Sequence, residues 1–115
     1  MNDFLTNDVD VNNEEFDKLS ICDLKIVNKT IGSVKINSSS LINIEFNNVV
    51  FNYVAFSHVD LSNVNFLNCG LHNCTFDECK MVGANFADST IKNCKVSNTL
   101  GKYMSISYSK IYDLS

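Results

Sequence analysis

The run Val64-Asn65-Phe66-Leu67-Asn68-Cys69-Gly70-Leu71-His72-Asn73-Cys74-Thr75-Phe76-Asp77-Glu78 carries the architecture of this chain. A large apolar residue falls at every fifth place (Phe66, Leu71, Phe76), and a small one falls two places ahead of each (Val64, Cys69, Cys74). Followed backwards, the beat passes through Leu61, Phe56, Phe51, Phe46, Leu41, Ile36, Ile31, Ile26 and Ile21 to Phe16. Followed forwards, it passes through Met81, Phe86, Ile91 and Val96, misses at Gly101, and resumes at Ile106 and Ile111. The small position continues through Val54, Val59, Cys79 and Ala84, with Lys29 the one charged exception.

Two inward positions separated by two residues fit an extended segment. A helix would need apolar contacts at three, four and seven, and an uninterrupted strand would need strict alternation. A period of five satisfies neither, so each repeat is read as a short extended segment followed by a turn. Self-similarity at a fixed short period is the mark of a solenoid.

The segments Val64-Asn65-Phe66-Leu67-Asn68 and Ala84-Asn85-Phe86-Ala87-Asp88 resemble the pentapeptide-repeat family, whose motif is a small residue, Asp/Asn, Leu/Phe and two polar positions. The resemblance covers about 19–113. It implies an all-β, right-handed quadrilateral β-helix with four repeats to a coil, here about 4.75 coils and roughly 23 Å long at the strand spacing. Lys29, Gly101 and Met104 depart from the motif.

Four repeats per coil place residues twenty apart above one another. The columns are then Phe16-Ile36-Phe56-Phe76-Val96, Ile21-Leu41-Leu61-Met81, Ile26-Phe46-Phe66-Phe86-Ile106 and Ile31-Phe51-Leu71-Ile91-Ile111. Corner residues stack likewise. Asp23-Asn43-Asn63-Gly83 and Asn28-Asn48-Asn68-Asp88 suit the positive φ of a type II turn, whereas Lys18-Ser38-His58-Glu78 points to type I geometry. The corner with Ser33, Tyr53, Asn73 and Asn93 is left unassigned.

The domain reading is an acidic N-terminal cap or flexible leader at 1–15, the solenoid at 16–99, and a final coil or C-terminal cap at 100–115. Solenoid ends present open ladder edges, which are capped or used in assembly. Ile106, Tyr108, Ile111 and Tyr112 make the C-terminal end a candidate dimerisation surface, or else a monomer's last coil.

Formal net charge is −4, yet the acids Asp3, Asp8, Asp10, Glu14, Glu15 and Asp17 crowd the start while the body is near neutral. The sequence contains no arginine, whose forked geometry suits phosphate, so direct nucleic-acid binding is not expected. The absence of proline suits a continuous hydrogen-bonded ladder. There is no apolar run of membrane-spanning length and no secretory pattern, and the 5 cysteines form no paired framework. A cytoplasmic protein is expected.

No cofactor fingerprint or catalytic set is recognised, and a tube filled by its own side chains is expected to lack a pocket. Cys69, Cys74 and Cys79 lie on successive walls, a spacing that favours core packing over zinc. Cys74 and Cys94 should stack on one wall without a disulfide, and Cys22 faces outward. His58 and His72 read as surface residues with no carboxylate partner, and Lys29 as a stem that packs while its ammonium reaches water. The function these features favour is a non-enzymatic protein-interaction or scaffold solenoid of unknown partner. The family resemblance adds an alternative, a DNA-mimic modulator of DNA gyrase of the quinolone-resistance (Qnr) type.

Overall fold

The computed structural model describes residues 10–101 and the backbone of 110–114. All regular structure among them is strand, and all pairing is parallel. In chain order the strands are β1 (Val11–Asp17), β2 (Ser20–Cys22), β3 (Lys25–Val27), β4 (Thr30–Ile42), β5 (Glu45–Asn47) and β6 (Val50–Asp60). They continue as β7 (Asn65–Leu67), β8 (Gly70–His72), β9 (Thr75–Asp77), β10 (Thr90–Ser97) and β11 (Lys110–Leu114).

The register is twenty throughout. On one wall Val11 faces Ile31, Ile31 faces Phe51, Phe51 faces Leu71, Leu71 faces Ile91, and Ile91 faces Ile111. On the next, Phe16 faces Ile36, Ile36 faces Phe56, and Phe56 faces Phe76, which faces Val96. The β3-β5-β7 ladder sets Ile26, Phe46 and Phe66 in one column. Among the described residues the ladder begins at Val11, five residues ahead of Phe16, so the stretch 11–15 is paired with the coil above it. The overall extents are 32 × 24 × 24 Å.

The beat fills the axis. Phe46, Phe51, Phe56, Phe66, Phe76, Phe86, Leu41, Leu61, Leu71, Met81 and Ile91 are all buried. So are their small companions Val54, Val59, Val64, Cys69, Cys74, Cys79 and Ala84. Phe66 stacks on Phe46 at 5.4 Å and on Phe86 at 4.8 Å, and Phe56 stacks on Phe76 at 4.9 Å with rings 1° apart. These spacings follow from the ~4.8 Å rise between parallel strands, which forces identical side chains into offset stacks. At the rims the seal loosens, with Phe16 half-buried and Val96 37% exposed.

Every corner takes a left-handed residue. Asn63 (φ 57°), Gly83 (φ 75°) and Asp88 (φ 58°) sit in turns closed by Val64 N–H to Leu61 O (3.3 Å), Ala84 N–H to Met81 O (3.1 Å) and Ser89 N–H to Phe86 O (3.3 Å). This is the type II arrangement expected of them. The Lys18-Ser38-His58-Glu78 corner departs from the type I expectation, because its φ values are 60°, 48°, 56° and 52°. Closing a coil every twenty residues demands the same bend at each corner. The ladder bonds on both sides impose it even on residues that pay about 1–2 kcal/mol for the left-handed backbone.

The small inward position also binds coil to coil. Ser89 Oγ accepts from Cys69 N–H (3.0 Å) and donates to Phe66 O (2.6 Å). Thr99 Oγ1 accepts from Cys79 N–H (3.2 Å) and donates to Phe76 O (3.3 Å). Ser39 Oγ accepts from Leu19 N–H (3.0 Å) and donates to Asn37 O (2.7 Å). Outside, Asn48 Nδ2 donates to Asn28 Oδ1 (2.7 Å), and Lys25 pairs with Glu45 at 3.6 Å.

Candidate interaction groove

The interior is filled by its own side chains, and a shallow, open depression lies on the outside of one corner. It is an open groove of about 650 Å³ running across four coils. Its lining repeats the same three columns on each coil: Lys18, Ser38, His58, Glu78 at the corner, Leu19, Ser39, Val59, Cys79 as the floor, and Ser20, Ser40, Asp60, Lys80 on the far side. Serines dominate the first two coils and charged residues the last two. Short side chains over two rungs leave room that longer ones would fill.

His58 has a carboxylate partner after all. Its Nε2 pairs with the Glu78 carboxylate directly above it, and its Nδ1 lies 3.1 Å from Ser57 Oγ. A separation of twenty hides such a partner from any local reading of the chain. Asp60 turns its carboxylate to Ser62, accepting from both N–H (3.0 Å) and Oγ (2.6 Å). The arrangement at Ser57 has the order nucleophile, base and carboxylate. However, the His58 and Glu78 side chains are 59% and 49% exposed, so water screens the field a catalytic relay needs. As a surface pair in high dielectric it ties two coils together weakly.

The remaining candidates fall inside the tube. Lys29 is buried at 6% exposure, at the inward position of its column below Val49. Cys22 is exposed, and all 5 cysteines are free. The buried thiols replace the serines of other coils: Cys69 Sγ donates to Phe46 O and Leu67 O at 3.3 Å each, and Cys94 Sγ to Leu71 O at 3.3 Å. Burial pushes the Cys69 thiol up to about 11 and also raises Cys79. Cys74 and Cys94 stack on one wall, and the neighbouring Cys94 thiol together with burial raises Cys74. Among the described residues, no three His, Cys, Asp or Glu side chains group to hold a metal ion, and no helix is long and apolar enough to cross a membrane. Ile106 and Tyr108 lie outside the described residues. Ile111 and Tyr112 are placed only by the backbone of β11, opposite Ile91 and Lys92.

Residues 34–66 match the family of pentapeptide repeats, in 8 copies. Among curated proteins none matches the chain in sequence. The chain is similar to the crystal structure of a pentapeptide repeat protein (Rfr23) from the cyanobacterium Cyanothece 51142. The TM-score is 0.83 at 9% identity, covering 92% of this chain and 86% of that one. At that identity the likeness shows the fold alone. Lower matches are a trypsin-treated variant of QnrB1, a plasmid-mediated fluoroquinolone resistance protein (TM-score 0.37, 15% identity, 92% and 72% coverage), and full-length QnrB1 (TM-score 0.37, 12% identity, 83% and 71% coverage). Likenesses at that score carry no argument.

Proposed function

We propose that this pentapeptide-repeat solenoid is a non-enzymatic protein-interaction module that presents its corner groove to a partner protein in the cytoplasm. The observation that carries this reading is the groove itself: an open, mixed-charge trough of about 650 Å³ on an otherwise self-filled tube. Its floor is fixed by the ladder, so binding would require little ordering of the receptor. Serine hydroxyls and charges of both signs suit the polar rim of a transient protein interface better than a closed site for a small molecule. The free thiols suit a reducing compartment.

A DNA-mimic role toward gyrase finds no support in the surface. It requires a long acidic stripe, and beyond the exposed acids of β1 several described acids are interrupted: Glu45 is paired with Lys25, Glu78 with His58, and Asp60 stacks beneath Lys80. The test is quantitative affinity capture with the wild-type chain and a Lys18→Glu/Lys80→Glu variant, both immobilised after their folding is verified. The reading expects a defined protein retained by the former and lost from the latter. Equal capture by both would remove the groove from the binding surface.

A further inference from the structure

The wall carrying Ile31, Phe51, Leu71 and Ile91 holds an anomaly. Tyr53 occupies a left-handed corner (φ 57°) with 62% of its surface exposed, where the same corner on other coils carries Asn13, Ser33, Asn73 and Asn93. A bulky aromatic in that conformation is strained, and its ring in water gains nothing from burial. Beside it on the same coil, Val50 is 39% exposed. Between the corners of this wall, Asp10 and Lys92 are the charged outward side chains among the described residues, both exposed, and Asp88 stands at the corner that precedes it.

The placement of Asp10, Val50, Tyr53 and Lys92 is self-complementary. Val50 lies two coils above Asp10, and Lys92 lies two coils above Asn52, so the apolar pair sits midway between the two charges. We propose that this wall docks against the same wall of a second copy, the two solenoids running antiparallel about a twofold axis at the Phe51 coil. In that arrangement Val50 and Tyr53 of each copy cover those of the other, and each Asp10 meets the other copy's Lys92. A parallel arrangement would set like charges together, so charge fixes the orientation. A central aromatic ringed by small polar residues is the pattern in which a few side chains dominate affinity. This surface is separate from the C-terminal end and from the groove.

Sedimentation velocity on the full chain across a micromolar concentration series tests the proposal. The wild type is expected to dimerise. Tyr53→Asn, which installs the residue the corner prefers, should keep the fold and weaken association at least tenfold. Asp10→Lys should weaken it as well, and Asp10→Lys combined with Lys92→Asp should recover it. A wild type that stays monomeric at several hundred micromolar would overturn the proposal. So would a dimer indifferent to Tyr53→Asn and Asp10→Lys, whether or not removal of residues 102–115 abolished it.

Discussion

Phe66→Ala removes a ring enclosed by three others. Phe66 is fully buried, stacked on Phe46 at 5.4 Å and Phe86 at 4.8 Å, and met edge-on by Phe51 at 5.5 Å. Truncating a buried phenylalanine costs about 3–5 kcal/mol, transfer and cavity terms together. Each aromatic pair adds about 0.5–1.5 kcal/mol beyond area. The ladder bonds hold the backbone on both sides, so the cavity cannot collapse, and the upper part of the range applies: about 4–5 kcal/mol. With an unfolding entropy near 2.1 cal/mol/K per residue over 115 residues, that lowers Tm by roughly 15–20 °C. Guanidinium denaturation followed by circular dichroism reads it directly, as a lowered midpoint at unchanged slope. A loss below about 1 kcal/mol would refute the enclosed stack. A reduced slope would show that the coils uncouple instead of melting together.

Ser89→Ala leaves the buried Cys69 N–H and Phe66 C=O without their partner and should destabilise by about 2–4 kcal/mol, whereas Ser89→Cys keeps a donor and should cost about 1 kcal/mol or less, both by chemical denaturation. Brief iodoacetamide treatment of the native protein should add one label, at Cys22 by peptide mass spectrometry. Early labelling of Cys69 or Cys79, which burial protects, would contradict the inward assignment. Glu78→Ala breaks the pair with His58 at the surface and should shift stability by no more than about 0.5 kcal/mol. Purified gyrase should supercoil DNA at the same rate with micromolar amounts of this protein present.

What the sequence made legible was whatever the five-residue beat enforces. The phenylalanine columns, the twenty-residue register and the inward cysteines follow because one side chain in five must point at the axis. The corners were half legible. Asn63 and Gly83 announce a positive φ by residue type, but Lys18 and Glu78 adopt it only because the coil must close. Val11 sits one beat ahead of Phe16 inside the stretch read as an acidic cap or leader, and its pairing with Ile31 extends the first wall. The groove and the His58–Glu78 pair were hidden for a different reason. The coil reading already stacks His58 beneath Glu78 in one corner column, but outward residue types carry no periodic constraint that says which of them pair or leave a depression. Tyr53 was visible as an odd residue in its column, but its exposure was not.

The most direct test of the architecture is solution NMR of scalar couplings transmitted across backbone hydrogen bonds. The ladder joins Ser40 N–H to Leu19 O, Glu45 N–H to Leu24 O, Gly70 N–H to Val49 O and Thr90 N–H to Cys69 O, each spanning twenty-one residues. Between these bonds the ladder runs the other way, as from Lys18 N–H to Asn37 O and from Asn73 N–H to Lys92 O, nineteen residues ahead, and the account predicts couplings at these two separations on every coil. Couplings to the carbonyl four residues back, or at separations that vary from wall to wall, would contradict it.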